Sequence, residues 1–166
     1  MRLSNLADYA VITMCQAATH CGSASLVDAD NKRRGRVSAA ELASETGLPV
    51  PTVQKLVSKL TAAGLMRSVR GAKGGLQLGR PAAAITVADI VEAVEGPIAL
   101  TACVEHGNCC DYEATCHMKP HWPIINSALR GALAGITLET LRTPPGAAPS
   151  IHTRSRDVLS HQEEPA

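Results

Sequence analysis

Aromatic side chains are almost missing from this 166-residue sequence, which has no phenylalanine, one tryptophan and two tyrosines. Proteins that recognise single-stranded nucleic acid stack the exposed bases on aromatic rings. The chain has too few rings for such a surface. Any nucleic acid that it binds is therefore expected to be double-stranded.

Long apolar runs are missing as well. No stretch approaches the ~18 uncharged residues that a transmembrane helix needs, and the segment 1–8 meets charge too early for a signal peptide. We expect a cytoplasmic protein that does not contact a membrane. Hydrophobic residues make up 45% of the sequence, which is enough for one folded core.

Charge is divided unevenly along the chain, although the net charge is only +1. Residues 1–80 contain eleven Lys and Arg against five Asp and Glu, whereas residues 81–166 contain five against ten. The first half is therefore predicted to face a polyanion.

The first half has the pattern of a winged helix-turn-helix DNA-binding domain over residues 1–97, in a fold that is mainly α-helical with a small β-hairpin wing. Apolar residues at helical spacing predict a first helix that starts near residue 3 and ends near residue 18. Ser38 and Glu41 form a capping box that starts a second helix, which ends before Gly47.

A third helix and the hairpin after it are the predicted DNA-binding elements. The helix stops at Gly64, and one of its faces is polar. The following residues alternate around a glycine-rich basic centre, which is typical of a hairpin with a positively charged tip. Such a helix enters the major groove, and such a hairpin reaches the neighbouring backbone. The candidate DNA-binding residues are Thr52, Gln54, Lys55, Ser58 and Lys59 of the helix, and Arg70, Gly71, Lys73, Gly74 and Gly75 of the hairpin.

The second half is predicted to contain a cysteine-rich iron–sulfur loop over residues 98–119, a long dimerisation helix over 120–142 and a disordered tail over 143–166. The tail lacks a periodic apolar pattern. In the helix, apolar residues recur every three or four positions and form a narrow seam suited to a partner helix. The seam residues are Trp122, Ile125, Leu129, Ala132 and Ile136. We therefore expect a homodimer.

Four of the six cysteines lie within fourteen residues, and their spacing indicates a metal site. Structural zinc usually takes ligand pairs two to four residues apart, and no C-x2-C pair occurs here. Thiolates spread over an open loop can instead hold an iron–sulfur cluster. Because Cys109 and Cys110 project differently, only one of them is expected to join Cys103 and Cys116, and Cys110 is preferred.

Three thiolates leave one coordination position for a fourth group. His106, His117 and His121 are nearby in the sequence, and Asp8 is a more distant candidate. Carboxylate and imidazole groups are both established metal ligands in proteins.

Several segments together resemble a known family. They are LTAAGL over residues 60–65, SVRGAKGGLQLGRP over 68–81 and ITVADIVEAVEG over 85–96, followed by three spaced cysteines. These segments are similar to those of the iron–sulfur winged-helix transcription regulators, which include the Isc regulator, the nitric-oxide-sensing Nsr repressor and the Suf-operon regulators. The likeness covers residues 1–142, and the segment 107–129 resembles the Suf branch most.

The resemblance implies a homodimer that binds duplex operator DNA through the helix and the hairpin, with three cysteine ligands per subunit and control of cluster-assembly genes. The chain departs from the Isc branch, which has a histidine three residues after the last cysteine, because that position is Lys119 here. Asp8 matches an acidic residue that some nitric-oxide-sensing relatives donate across the dimer. His117 is the local alternative.

We therefore hypothesise a DNA-binding transcription regulator, not an enzyme, that senses cluster status or oxidative stress through its own [2Fe-2S] or [4Fe-4S] cluster and controls Suf-type assembly genes. A nitric-oxide or redox-sensing repressor of other genes is the alternative within this class. A thiol redox enzyme would need an activated thiolate, and no nucleophile–base pair accompanies Cys109 and Cys110. A protein-interaction module held together by zinc would not explain the basic hairpin. No small-molecule substrate is expected.

Overall fold

The computed structural model of the chain describes residues 3–21, 35–71, 74–104, 110 and 115–143. Within these residues the chain forms helices and one hairpin. In chain order they are α1 (Asn5–Cys21), α2 (Ala39–Thr46), α3 (Val50–Ala62), strand β1 (Met66–Val69), strand β2 (Gly75–Leu78), a 3-10 turn (Ala82–Ala84), α4 (Val87–Glu95), α5 (Trp122–Ala134) and α6 (Leu138–Arg142). The predictions for most of the loop 22–36, for Lys73, for His106 and Cys109 and for the tail from 144 onward lie outside the described residues.

The hydrophobic core is built around α1. One face of this helix carries small apolar residues, and Ala7, Ala10 and Ala17 are completely buried beside Met14. Small side chains allow neighbouring helices to approach closely. Helices α2, α3, α4 and α6 and strand β2 all contact α1, so the first helix joins the N-terminal and C-terminal parts of the chain.

The predicted helix-turn-helix is confirmed. The Ser38 hydroxyl accepts a hydrogen bond from the Glu41 backbone N–H at 3.1 Å, and the Glu41 carboxylate accepts one from the Ser38 N–H at 2.7 Å. Gly47 ends α2 in the left-handed conformation, with φ of 71°. That conformation suits glycine because it has no Cβ. The chain then turns directly into α3, whose Val53, Leu56 and Leu60 are fully buried.

The predicted hairpin is confirmed as an antiparallel pair of strands in which Met66 faces Leu78 and Val69 faces Gly75. Val37 adds a short third segment, because its N–H and C=O both pair with those of Leu76, at 3.1 and 2.8 Å. This bridge attaches the wing to the residues that precede α2. At the wing tip a Cβ on Gly74 would lie 2.5 Å from the Val69 carbonyl oxygen, so only glycine fits there.

The region 120–142 is not one continuous helix, and that prediction is wrong. Helix α5 ends at Ala134, and α6 begins at Leu138 after Thr137, whose hydroxyl accepts from the Thr140 N–H at 3.2 Å. Between the helices the backbone pairs with residues 85–87: the Ile136 carbonyl accepts from the Val87 N–H, and the Leu138 N–H donates to the Ile85 carbonyl. This pairing interrupts the helix and brings Leu138 into the core, where it is 0% exposed.

A buried amide fastens the segment before the cysteines to α5. Asn126 is 8% exposed, and its side-chain oxygen accepts from the Leu100 N–H at 3.0 Å while its Nδ2 donates to the Ile98 carbonyl at 2.8 Å. Both backbone groups are therefore satisfied by one side chain. This bond pair sets the position at which the chain leaves α4 and enters the cysteine segment.

A second link holds α5 against α4. The Arg130 guanidinium donates two hydrogen bonds to the Glu92 carboxylate, at 2.8 and 2.9 Å. These bonds lower the pKa of the Glu92 carboxyl below its usual value. Because both side chains are partly exposed, the pair fixes orientation more than it adds stability.

Truncating Leu138 is expected to be costly, because it opens a cavity where α6 meets the core. Leu138→Ala should lower the free energy of unfolding by about 2 to 5 kcal/mol, measured by urea denaturation. The matched control is Leu141→Ala on the same helix, which is 40% exposed and should change the stability by less than about 1 kcal/mol. Equal losses for the two variants would contradict the docking of α6.

Removing the Asn126 amide is expected to leave the Leu100 N–H and the Ile98 carbonyl without partners. Asn126→Ala should therefore lower the free energy of unfolding by about 1 to 3 kcal/mol. Ser127→Ala changes the exposed neighbour on the same helix and should be close to neutral. We call the two hydrogen bonds of the Asn126 side chain the Asn126 clamp. If Asn126→Ala is as stable as the unaltered chain, the clamp adds nothing to the free energy of unfolding.

Candidate nucleic-acid interface and cysteine site

The outer face of α3 is polar and open to solvent. Gln54, Lys55 and Ser58 are exposed, and Thr52 is half-buried. The opposite face is anchored in the core through Val53. The described part of the chain does not fully cover any of these four side chains. They can therefore donate hydrogen bonds to a partner molecule or accept them from it.

Lys59 differs from the rest of this predicted set. It is half-buried, and its Nζ donates a hydrogen bond to the Val94 carbonyl oxygen at 2.5 Å. That oxygen lies in the last turn of α4, where helix carbonyls lack partners within the helix and a cation is favourable. Lys59 therefore joins α3 to the end of α4 and presents less of its charge to the outer face.

The wing tip presents its basic side chain outward. Arg70 and the backbone at Gly71 and Gly74 are exposed, while Gly75 is half-buried against Val37. The Gly74 N–H closes the tip by donating to the Gly71 carbonyl at 2.8 Å. The tip and the polar face of α3 form the candidate nucleic-acid interface.

A contact that the sequence did not predict supports the helix-turn-helix from behind. His20 is buried in α1, and its Nε2 lies 2.8 Å from Glu45 Oε2 of α2, which also accepts from Gln16 Nε2 at 2.8 Å. The hydrogen bond with His20 lowers the pKa of the Glu45 carboxyl. Helix α2 is thereby fixed to α1 by polar bonds in addition to packing.

The candidate metal ligands are free thiols where the structure describes them. Cys103, Cys110 and Cys116 are all half-buried, and none of them is in a disulfide. The Thr101 hydroxyl lies 3.1 Å from Cys103 Sγ, so the thiol is already in a polar contact. As a donor set, three accessible thiols suit a soft metal or an iron–sulfur cluster.

The geometry of a complete metal site is not formed by the described residues. Within them, no three His, Cys, Asp or Glu side chains come together closely enough to hold a metal ion. Asp8 is exposed in the first turn of α1, and His117 is exposed shortly before α5. Thus the thiol chemistry fits a cluster, but the described part of one chain does not gather the ligands.

The two remaining cysteines have a different environment. Cys15 and Cys21 lie on α1, and burial raises the pKa of both thiols. A raised pKa keeps a thiol protonated at neutral pH and makes it a poor ligand or nucleophile. Cys15 packs against the hydrophobic core, and the Cys21 thiol lies 3.6 Å from the Gly35 carbonyl oxygen.

The described helices do not include one that is long and apolar enough to cross a membrane.

The solved structures that share the fold include the following two. The Bacillus subtilis protein CymR, described as the global cysteine regulator, is 30% identical with a TM-score of 0.59, and the match covers 86% of this chain and 96% of that one. IscR from T. potens is 28% identical with a TM-score of 0.57, covering 85% of each chain.

Sequence relatives agree with the structural neighbours. The transcriptional regulator IscR of Escherichia coli is 31% identical over 141 residues, which is 85% of this chain and 80% of the relative. The relatives and neighbours are transcription regulators, which confirms the prediction of a regulator over an enzyme. A family model described as "Rrf2: Iron-dependent Transcriptional regulator" matches residues 4–144. The chain therefore belongs to the Rrf2 family of winged-helix transcription regulators.

Proposed function

We propose that this Rrf2-family regulator acts as a homodimer on duplex operator DNA, and that an iron–sulfur cluster held by its cysteines sets its affinity for DNA. The observation that carries the proposal is that the polar face of α3 and the basic wing tip are both exposed. A helix with such a face fits the major groove, which is about 12 Å wide. Because α3 is anchored by buried residues, it enters the groove without first having to fold.

The residues of this interface have separate roles. Gln54 and Lys55 are exposed on α3 and can reach base edges, where an amide or an ammonium group distinguishes bases. Arg70 is at the wing tip and meets phosphates, which position the protein without reading sequence. Lys59, tied to Val94, supports the orientation of α3 in this arrangement.

Substitutions at the interface should separate the two roles. Arg70→Ala should weaken binding on specific and random duplexes alike and lower the slope of log affinity against log salt by roughly one. Gln54→Ala should cost about 1 to 3 kcal/mol on the specific duplex and less on the random one. Fluorescence titrations across salt concentrations measure both quantities.

Arg130→Gln is the control for the salt slope alone, because it removes an equal charge from α5, which is not part of the interface. Its slope should match that of the unaltered chain, whereas its affinity is not compared, since Arg130 also orients α5 through Glu92. If Arg70→Ala and Gln54→Ala also leave slope and preference unchanged, the interface is elsewhere.

Helix α5 carries the surface proposed to join two chains. Ile124 is 70% exposed and Ile125 is 41% exposed, and the small residues Ala128 and Ala132 follow on the same side of the helix and are also exposed. The remaining seam residues Trp122, Leu129 and Ile136 are half-buried within their own chain. A contiguous apolar strip left in water favours a protein contact, and the same strip on two copies gives a two-fold interface.

A charge placed in this strip should separate the two chains. Ile124→Glu is expected to give monomers in sedimentation equilibrium at concentrations where the unaltered chain is a dimer, because each dimer would bury two like charges. Ala40→Glu places the same charge on the exposed surface of α2 and should leave the dimer intact. A dimer mass for Ile124→Glu would contradict the proposed interface.

The cysteine segment is proposed to hold the cluster through Cys103, Cys110 and Cys116, with Cys109 as the alternate to Cys110 and with Asp8 or His117 in the fourth position. The partly exposed thiols of this segment support the proposal, as does the likeness to IscR. A bound cluster of this type supplies a group whose occupancy responds to oxidants and to iron and sulfide supply. The resemblance of the segment 107–129 to the Suf branch supports the further proposal that the regulator controls Suf-type cluster-assembly genes.

The Asn126 clamp provides a path from the cysteines to the dimer. It bonds to the backbone at Ile98 and Leu100, only three residues before Cys103, and it lies on the helix that carries the apolar strip. A change in the ligation of Cys103 therefore acts on the position of α5. A coupling of about 1 to 3 kcal/mol would change operator affinity 5- to 150-fold.

The cluster can be tested without DNA. Protein purified without oxygen should absorb in the visible range and contain iron and acid-labile sulfide, and Cys103→Ser and Cys116→Ser should each remove all three signals. Of Cys109→Ser and Cys110→Ser, only one should do so. Cys15→Ser is the control and should keep the cluster, because Cys15 is packed on α1. Zinc in place of iron, or no metal at all, would overturn this part of the proposal.

A further inference from the structure

A cavity of about 510 Å³ lies on the side of the wing away from its tip, between β2, the 3-10 turn and α6. Arg67 of β1, Arg80 after β2 and Arg142 of α6 all line it, and Glu139 is the acidic residue among the described lining. Its volume is within the range of pockets that bind small molecules. The described lining therefore carries a positive charge that neither the DNA interface nor the cysteine site uses.

The strongest indication of a ligand comes from Arg142. Its Nε is buried and has no hydrogen-bond partner within the described part of the chain. A buried donor of this kind is unfavourable unless a partner satisfies it. An oxyanion is the natural partner, because the planar guanidinium donates in pairs to carboxylate or phosphate oxygens.

The other cationic side chains are also available to an anion. Arg67 is exposed. Arg80 is 3.6 Å from Asp89, which is too far for a strong hydrogen bond. Cys21, which lines the same cavity, is uncharged at neutral pH because burial raises its pKa.

The cavity also has an apolar wall. Leu78, Pro81, Ala82 and Ala83 are among the residues that line it. Pockets that combine an apolar wall with a few placed polar groups select molecules that have both characters. A bare ion would leave this wall in contact with water, whereas a short carbon chain would cover it.

We propose that this cavity binds a small organic anion, with one oxyanion group on Arg142 and Arg80 and a short apolar body against Leu78 and Ala82. Such a molecule would contact the wing strands and α6 at the same time. Binding would therefore restrain the wing relative to the C-terminal helices. The binding itself does not depend on the DNA-binding proposal, although its effect on regulation does.

The probes are sodium butyrate, which has one carboxylate and a short apolar chain, and sodium phosphate, titrated into the full chain at constant ionic strength with sodium chloride as reference. Calorimetry and thermal unfolding report binding. Butyrate should bind with a stoichiometry of one per chain and raise the melting temperature, and its affinity should exceed that of phosphate because phosphate has no carbon chain. If phosphate binds as tightly as butyrate, the apolar wall has no role and the proposal of an organic anion is overturned.

Arg142→Gln should weaken butyrate binding at least tenfold, since it removes the half-buried guanidinium whose Nε has no hydrogen-bond partner within the described residues. Arg130→Gln, an arginine outside the cavity, should stay within twofold of the unaltered chain. If Arg142→Gln fails to fold, Arg80→Gln is measured in its place, and its affinity for the probe should also be lower than that of the unaltered chain. The proposal is overturned if neither probe binds more tightly than chloride, or if the Arg142 and Arg130 variants bind the probe with equal affinity. Both outcomes are independent of the DNA titrations.

Discussion

The burial of one face of α1 is the constraint on which the rest of the structure depends. Ala7, Ala10 and Ala17 leave room for neighbouring backbones, and the helices on both sides of the cysteine segment pack into that room. Larger side chains at these positions would push α4 and the helix-turn-helix apart, since protein interiors have little free space. The DNA-facing and C-terminal elements are therefore positioned by one shared support, and a shift on one side is felt on the other.

Most of the fold was predictable because its signals are local. The capping box of Ser38 and Glu41 is complete within four residues and forms as predicted. Thr86 and Asp89 form a second capping box of the same local kind. The hairpin follows equally from its glycines and alternating pattern. The break after Ala134 has local signals in Gly135, which ends α5, and in Thr137, which caps α6, but the spacing of apolar residues continues across it and favours one helix. The break also contains backbone pairing with Ile85 and Val87, about fifty residues earlier, and local patterns carry no information about such pairing.

In the candidate interface and the Asn126 contacts, too, local features follow from the sequence and contacts between distant residues do not. The exposed face of α3 follows from helical periodicity, but the bond between Lys59 and Val94 depends on how α3 meets α4. Asn126 gave a usable signal, because it lies four residues after Trp122 and three before Leu129, on the face that turns inward. A polar residue at such a position needs a buried partner. Its partners at 98 and 100 follow only from the packing of the folded chain.

The bridge between Val37 and Leu76 has a consequence for how this protein can change over evolution. Val37 pairs with the wing, and the Cys21 thiol donates to the Gly35 carbonyl oxygen at 3.6 Å, so Cys21 and Gly35 are held close together by the folded body. Between two points fixed in this way, the free energy of closing a chain rises by only about 0.6 kcal/mol for each doubling of its length. The fold therefore tolerates insertions between Cys21 and Gly35, which lengthen the chain there without moving α3.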